Sequence, residues 1–477
     1  MVCFLKIIFT IIKNPFYLVL ILRFECVIIK ENFEKGRNGG MYQKKVDATS
    51  ELLRFIENSP TAFHAVDSAV EKLEAKGFVR LQEADEWSLK AGCGYYVTRN
   101  QSSILAFRIP KEAPKHFLIA ASHTDSPMFK LKKNYELSVA NTYVRLNTEV
   151  YGGTILSSWF DRPLSLAGRV ILAKEGNFLA KTVKIDRDLL LIPNVAIHMN
   201  RTVNSGYAYN PAVDLVPLFA EQREGGNTLA KLLAEELSCR EEEIAGMDLY
   251  VISRTPGTVW GANREFFSAP RIDNLMCAYG TLEGFCNASS AAAVTVYYAA
   301  DNEETGSATK QGAGSVFLSD TLDRICESLG TDKRCMLASS MMVSADNGHA
   351  KHPNHPELSD STNFPRMNGG VVIKSNAAQK YTTDGISSAL FAEICRRAKV
   401  PVQYYANRSD MPGGSTLGSI SNTLVPLITV DIGMAQLAMH SSYETAGVMD
   451  VAYLIDAMTS FYQSDITVHG DGSYSLN

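Results

Sequence analysis

The sequence predicts an α/β protein: a doubly wound, mostly parallel sheet in one lobe, interrupted by an inserted lobe rich in β-strand. Three observations carry this prediction. At 477 residues, 46% of them hydrophobic and 20% charged, the chain exceeds what one hydrophobic core usually organises. Four short continuous apolar runs, the form a strand takes when both its faces are buried, alternate with helical stretches. Between Met128 and about Phe266 the texture changes to Val-rich alternating segments and Gly-Gly turns.

In chain order, residues 1–30 are the most apolar, but Lys6, Lys13, Asn14 and Arg23 divide them into pieces such as 16–22. These fall short of the roughly 18 uninterrupted apolar residues that a spanning helix needs, and no small-residue cleavage site follows. A polar stretch over 31–40 ends at Gly39-Gly40-Met41. The expectation is an apolar leader over 1–40 with Met41 as the true start; the rival reading is a peripheral membrane anchor. Leu52, Leu53 and Ile56 recur at helical spacing, Ser59-Pro60-Thr61 breaks that helix, and a second runs to Gly77 as an αα hairpin. The runs 116–122, 292–299, 336–344 and 424–430 read as buried strands, separated by helices over 270–286, 315–329, 385–398 and 447–463. Within the insertion, 143–150, 166–173 and 181–185 read as strands and 227–237 as an isolated helix. A first lobe is thus expected from 41–128 and 267–477, with 129–266 inserted. On its residues alone the insertion is an oligomerisation or lid domain.

Forty-six Lys+Arg against 51 Asp+Glu give a net charge of −5 without any basic block, so affinity for a phosphate backbone has no electrostatic basis. The nine cysteines are odd in number and scattered, with no C-x-x-C pair, which argues against a disulfide framework or a thiolate zinc site and for a reducing cytoplasm.

The chemistry gathers at strand ends. His123-Thr124-Asp125 follows the first apolar run, Asp301-Asn302-Glu303-Glu304 the second, and Asp346 lies two residues beyond the third. Asp273 opens a helix, and His440 follows the fourth run after a linker. Carboxyl ends of parallel strands are where open α/β sheets hold ligands, and packing requires no carboxylates there. Each feature alone has an ordinary explanation in a turn, a solvated loop or a helix cap; five at one sheet edge are better explained by one shared site. Three carboxylates, two neutral imidazoles and a bridging hydroxide balance two divalent ions. A donor set of nitrogen and oxygen without sulfur suits zinc, with cobalt or manganese as substitutes. Five ligands serving two ions need one bridge, for which Asp273 is the choice. Asp125, two residues beyond His123, is expected to hold the imidazole in its metal-binding tautomer. Adjacent side chains in a turn point apart, so Glu304 is assigned to metal and Glu303 to proton transfer.

These residues resemble the aspartyl aminopeptidase family of dinuclear zinc exopeptidases, which includes vacuolar aminopeptidase I. Matching segments run from Met41 to the C-terminus: Ser59-Pro60-Thr61-Ala62-Phe63-His64, His123-Thr124-Asp125-Ser126-Pro127, Tyr151-Gly152-Gly153, Trp159-Phe160-Asp161-Arg162-Pro163-Leu164, Ile192-Pro193-Asn194-Val195-Ala196-Ile197-His198, Arg271-Ile272-Asp273-Asn274-Leu275, Asp301-Asn302-Glu303-Glu304-Thr305-Gly306-Ser307, Ser344-Ala345-Asp346, His349-Ala350, His352-Pro353-Asn354 and Met439-His440-Ser441. The resemblance implies a catalytic domain of zinc-exopeptidase type. It places His123 and Asp346 on one zinc, Glu304 and His440 on the other, Asp273 between them and Glu303 as base. It also implies that the insert is a dimerisation domain, that dimers assemble into a dodecamer, and that His198 reaches a neighbouring subunit's site. Lys374 and Tyr381 match positions that contact substrate, whereas His349 and His352 lie outside the ligand pattern and are given structural or supporting roles.

The function expected is removal of single N-terminal residues from peptides, with Lys374 as a cation that would favour Asp or Glu. Its alternatives are an aminopeptidase for neutral and apolar residues, a related deacylase or carboxypeptidase acting on acylated amino acids, and a non-catalytic self-assembling shell or cargo protein. No nucleic acid and no membrane partner is expected.

Overall fold

Every residue of the His116–His123 strand is buried, because alternate side chains face helices on opposite sides of one sheet. Phe117, Ile119 and Ala121 share a core with Phe317, Leu322 and Ile325 of the helix Phe317–Leu329. On the other face lie the helices Ile272–Asn287 and Val448–Gln463: Phe285 stacks 6.3 Å from Tyr297, and the Tyr462 hydroxyl donates to the Val296 carbonyl at 2.9 Å. The computed structural model describes residues 46–223 and 228–477. The leader and the start at Met41 therefore lie outside the described residues.

The sheet has nine strands, in the order Val79–Arg80, Gly94–Arg99, Ser103–Arg108, Ala293–Ala300, His116–His123, Met341–Ala345, Ile428–Gly433, Val371–Lys374, Val402–Tyr405. Its four central strands, Ala293–Ala300 through Ile428–Gly433, are mutually parallel. Ser103–Arg108 and Val371–Lys374 pair antiparallel at either side of them, so the orientation is more mixed than the apolar runs suggest. Those runs also miss five flanking strands, and two of them overreach. Within 336–344 the first residues belong to the helix Lys333–Ala338, which Asp332 caps by accepting from the Arg334 amide at 2.8 Å, so the strand begins only at Met341. Within 424–430 a turn from Ser421 to Leu424 and Val425 delays the strand to Ile428.

A second, fully antiparallel sheet runs Asn177–Lys184, Leu164–Lys174, Ile244–Ser253, Met128–Val139, Tyr143–Tyr151, Leu218–Glu221. It has its own core of Phe129, Leu146, Trp159, Leu166 and Val251, closed by Leu229 and Leu233 of the helix Leu229–Leu237. Arg169 ties this sheet to the first: it pairs with Asp248, donates to the Asn100 carbonyl at 2.7 Å and lies over the Phe63 ring. A small third sheet, Thr258–Trp260, Phe266–Ala269, Glu444–Gly447, Ala435–Leu437, Gly348–His349, lies along the segments that lead to Asp273 and His440.

Candidate metal centre

The register of the parallel strands levels their carboxyl ends. Ala300 stands opposite His123, Ser344 opposite Ala121 and Ala345 opposite Ile432, so His123, the Asp301–Glu304 turn and Asp346 leave the sheet at one edge. Asp273 reaches the same edge from the helix Ile272–Asn287, where Asp273 and Asn274 depart from helical angles. His440 arrives beyond the Ala435–Leu437 strand with φ of +68°. Arg271, Asn302 and His440 all hold left-handed backbone beside or at these positions, a conformation that costs an L-residue roughly 1–2 kcal/mol and persists where surrounding contacts impose it.

The five expected ligands are brought together in two groups that share Asp273. Nε2 of His123 lies 3.7 Å from Asp273 Oδ1 and 3.8 Å from Asp346 Oδ1. Nε2 of His440 lies 3.5 Å from Asp273 Oδ2 and 3.4 Å from Glu304 Oε2. Ligands about 2.0–2.1 Å from a tetrahedral zinc stand about 3.3 Å from one another, so both groups are close to the dimensions that such an ion imposes. Among the described residues no hydrogen bond reaches the buried atoms Asp273 Oδ1 or Glu304 Oε1. Buried carboxylate oxygens without donors are costly unless a cation takes them. The donor set and its orphaned atoms therefore fit zinc. The base candidate Glu303 is in the same cluster, with His123 and Glu304.

The electrostatics agree. Burial pushes the Glu303 carboxyl up to about 7 against the pull of His123, with Asp346, Asp125 and Asp273 adding to the rise. Burial and then Asp273 hold Glu304 well above the carboxylate range. Burial opposes ionisation of both His440 and Asp346, yet Asp273 and Glu304 carry His440 to about 10, while Lys374 and then His123 hold Asp346 at about 2. Burial and crowding thus favour the protonated forms of Glu303 and Glu304, and a divalent ion would reverse that preference.

Supporting residues fix these groups. Asp125 Oδ1 lies 3.3 Å from His123 Nδ1, and its two oxygens accept from the amides of Glu303 and Glu304, each at 3.2 Å. The Asp125 backbone carbonyl also engages Nδ1, at 3.1 Å, so Asp125 orients the imidazole with both groups while its carboxylate pins the turn that separates the two glutamates. Glu444, fully buried, accepts from the Asp273 amide at 2.9 Å and the His440 amide at 2.7 Å. Sequence reasoning passes over Glu444, whose only signal is its place four residues after His440.

Lys374 is 2% exposed, so its ammonium does not face solvent. Its ammonium donates to the Asp346 carbonyl at 2.7 Å and lies 3.8 Å from Asp346 Oδ2 and 5.1 Å from the Tyr381 ring centre. Tyr381 is itself buried among Ala350, Val372 and Tyr405. His198 stands on an exposed loop and belongs to none of the ligand groups of its own chain. His349 and His352 line an open cleft with Tyr405, Asn407, Gln436 and Ala438, beside the strand that leads to His440.

The chain is similar to known proteins in sequence and in fold. The model of the family described as "Aminopeptidase I zinc metalloprotease (M18)" matches residues 55–462. The "Probable M18 family aminopeptidase 2" of Clostridium acetobutylicum is 44% identical over 430 residues, spanning 88% of this chain and 99% of that protein. Among solved structures, the Ape4 chain in the cryo-EM structure of the Ape4 and Nbr1 complex superposes with a TM-score of 0.85 at 36% identity, covering 88% of this chain and 86% of that one. The S. cerevisiae mApe1 dodecamer gives 0.78 at 26% identity, covering 87% and 96%.

Proposed function

Because the chain belongs to the M18 family of aminopeptidase I zinc metalloproteases, and so is a metallopeptidase, we propose that it removes single N-terminal residues from peptides at a two-ion zinc centre built on Asp273. The observation that carries this reading is the division of Asp273's two oxygens between two imidazole-carboxylate groups. Zinc bound there would polarise the scissile carbonyl and lower the pKa of an attacking water, and cobalt or manganese would suit the same donors. The residues do the rest. Glu303 takes the proton of the water and passes it to the leaving amine, the role its place in the cluster beside His123 suits. Asp125 keeps the His123 Nε2 lone pair toward the site by engaging Nδ1. The cleft along His349, Tyr405 and Gln436 receives the peptide.

In this reading the antiparallel insert over 129–266 dimerises and six dimers form a dodecamer, with His198 completing a neighbour's site. The mApe1 dodecamer supports that assembly, as does the exposure of Val195, Ile197 and Met199 around His198. Residence in the cytoplasm is proposed on the cysteines, of which the seven among the described residues are all free. No helix among the described residues is long and apolar enough to cross a membrane.

Preference for N-terminal Asp or Glu is the finer part of the proposal, with Lys374 as the cation nearest the ligands. Its bonds to Asp346 favour a second reading, in which Lys374 serves only that ligand and neutral residues are cleaved best. Hydrolysis of free and N-acetylated peptides beginning with Asp, Glu or Leu, by wild type and Lys374→Met, decides. The proposal expects no cleavage of acetylated peptides, kcat/KM about 10²-fold higher for Asp or Glu, and loss of that ratio in the mutant. Equal wild-type values, or a mutant that slows all three substrates alike, would leave Lys374 with Asp346 alone. Cleavage of acetylated peptides would point to a deacylase.

A further inference from the structure

The segment from Tyr151 to Ile155 leaves the insert's sheet and crosses the ion site, touching both halves. The Tyr151 hydroxyl donates to Asp125 Oδ2 at 2.6 Å and accepts from Asn302 Nδ2 at 2.8 Å, so the carboxylate that orients His123 and pins the Glu303–Glu304 turn is itself held by a residue of the insert's sheet. Gly152 has φ of +72°, and a Cβ there would stand 3.0 Å from Glu304 Cβ and 3.4 Å from Pro127 Cα, so the backbone passes Glu304 as closely as only glycine permits. The Gly153 carbonyl accepts from His440 Nδ1 at 3.0 Å, which directs Nε2 toward Asp273 and Glu304. The Ile155 amide and the Thr154 hydroxyl both donate to the His440 carbonyl, at 2.9 and 3.2 Å, fixing a residue held at positive φ. Thr154 in turn accepts from the Trp159 indole at 2.7 Å, and Trp159 packs edge-on to Phe129 in the insert's core.

We infer that this strap is the insert's hold on the metal centre: Tyr151, through Asp125, positions His123 and the turn that carries Glu304, and Thr154 with Gly153 positions His440. The insert therefore sets the affinity of both ion sites, in addition to any role in assembly. The inference rests on the two-ion reading above. Tyr151 and Thr154 are positioning residues, since neither belongs to the ligand groups.

The test is stepwise zinc binding to the metal-stripped full chain, followed by competition with a chromophoric chelator. Wild type should show two binding steps. Tyr151→Phe, which removes one oxygen, should weaken both steps, at least one of them roughly 10–100-fold, the usual cost of losing a group that orients a metal ligand, because Asp125 holds both His123 and the Glu304 amide. Thr154→Val, nearly the same shape without the hydroxyl chemistry, should weaken a single step. Asp125→Asn combined with Tyr151→Phe should cost no more than Asp125→Asn alone, because one acts through the other. Unchanged affinities in either variant, weakening of both steps by Thr154→Val, or additive losses in the double mutant would overturn the inference. If Tyr151→Phe does not fold, Thr154→Val alone must still weaken a single step. A wild-type chain with one binding step would instead overturn the two-ion reading, and this inference with it.

Discussion

Glu303 and Glu304 are neighbours in sequence for which different tasks are proposed, and the difference comes from what each faces. Glu304 Oε2 meets His440, while Glu303 clusters with His123. Glu303→Gln keeps the shape and removes the basicity, so kcat should fall roughly 10²-fold or more while zinc content stays at the wild-type level. Steady-state kinetics beside elemental analysis checks this; near-normal turnover would remove Glu303 from the chemistry. At this scale the sequence is legible where function overrides packing: an Asp or His at the end of a fully apolar strand has no reason to be there unless something uses it. It is illegible where the decisive fact is a partner. Nothing local to Lys374 tells that its ammonium is buried on Asp346, and nothing in Tyr151-Gly152-Gly153 tells which groups the segment crosses.

The helix Ile272–Asn287 carries Asp273 at its start and must lie close against Val448–Gln463, and two glycines one turn apart allow it. A Cβ on Gly284 would overlap Met458 Cβ and stand 2.9 Å from the Met458 carbonyl carbon and 3.0 Å from the Thr459 amide, a wall of backbone. On Gly280 it would meet only the Leu454 side chain, which can turn aside. Alanine should favour a helix by about 1 kcal/mol at either site. We predict that Gly284→Ala nevertheless destabilises by about 1–3 kcal/mol through overpacking, and that Gly280→Ala costs distinctly less. Urea unfolding of the two variants compares them directly.

The helix Ala62–Ala75 has a different weak point. His64, bonded through Nδ1 to the Thr61 hydroxyl at 2.9 Å, is held down at about 4 by burial and then by Lys184 and Arg271. The folded state therefore resists a proton that the unfolded chain accepts near 6.5, so stability is intact above that value and falls as pH drops from 6.5 toward 4. His64→Gln should remove roughly 1–3 kcal/mol of that pH dependence, measured as the difference in unfolding free energy between pH 7 and pH 5. Helices and buried strands of this fold are legible from apolar spacing. The short strands Val371–Lys374 and Val402–Tyr405 are not, since they owe their pairing to neighbours distant in sequence.

Over the whole molecule, the candidate metal centre is a junction. Its candidate ligands come from three strand ends, one helix start and one loop beyond the sheet, and the insert supplies the strap that crosses them. Length and the change of texture after Met128 announce two lobes, yet the contact of the second with the ion site depends on a crossing that no local pattern records. The central claim is that Asp273 joins two ion sites in one hydrolytic centre, and metal add-back tests it most directly. Chain stripped by a chelator is titrated with Zn²⁺ while release of an N-terminal residue is followed. The account predicts that activity is absent without metal and reaches its maximum at about two ions per chain, a stoichiometry that elemental analysis of the active enzyme reproduces. Full activity at one tightly held ion per chain, or activity that survives complete removal of metal, would contradict it.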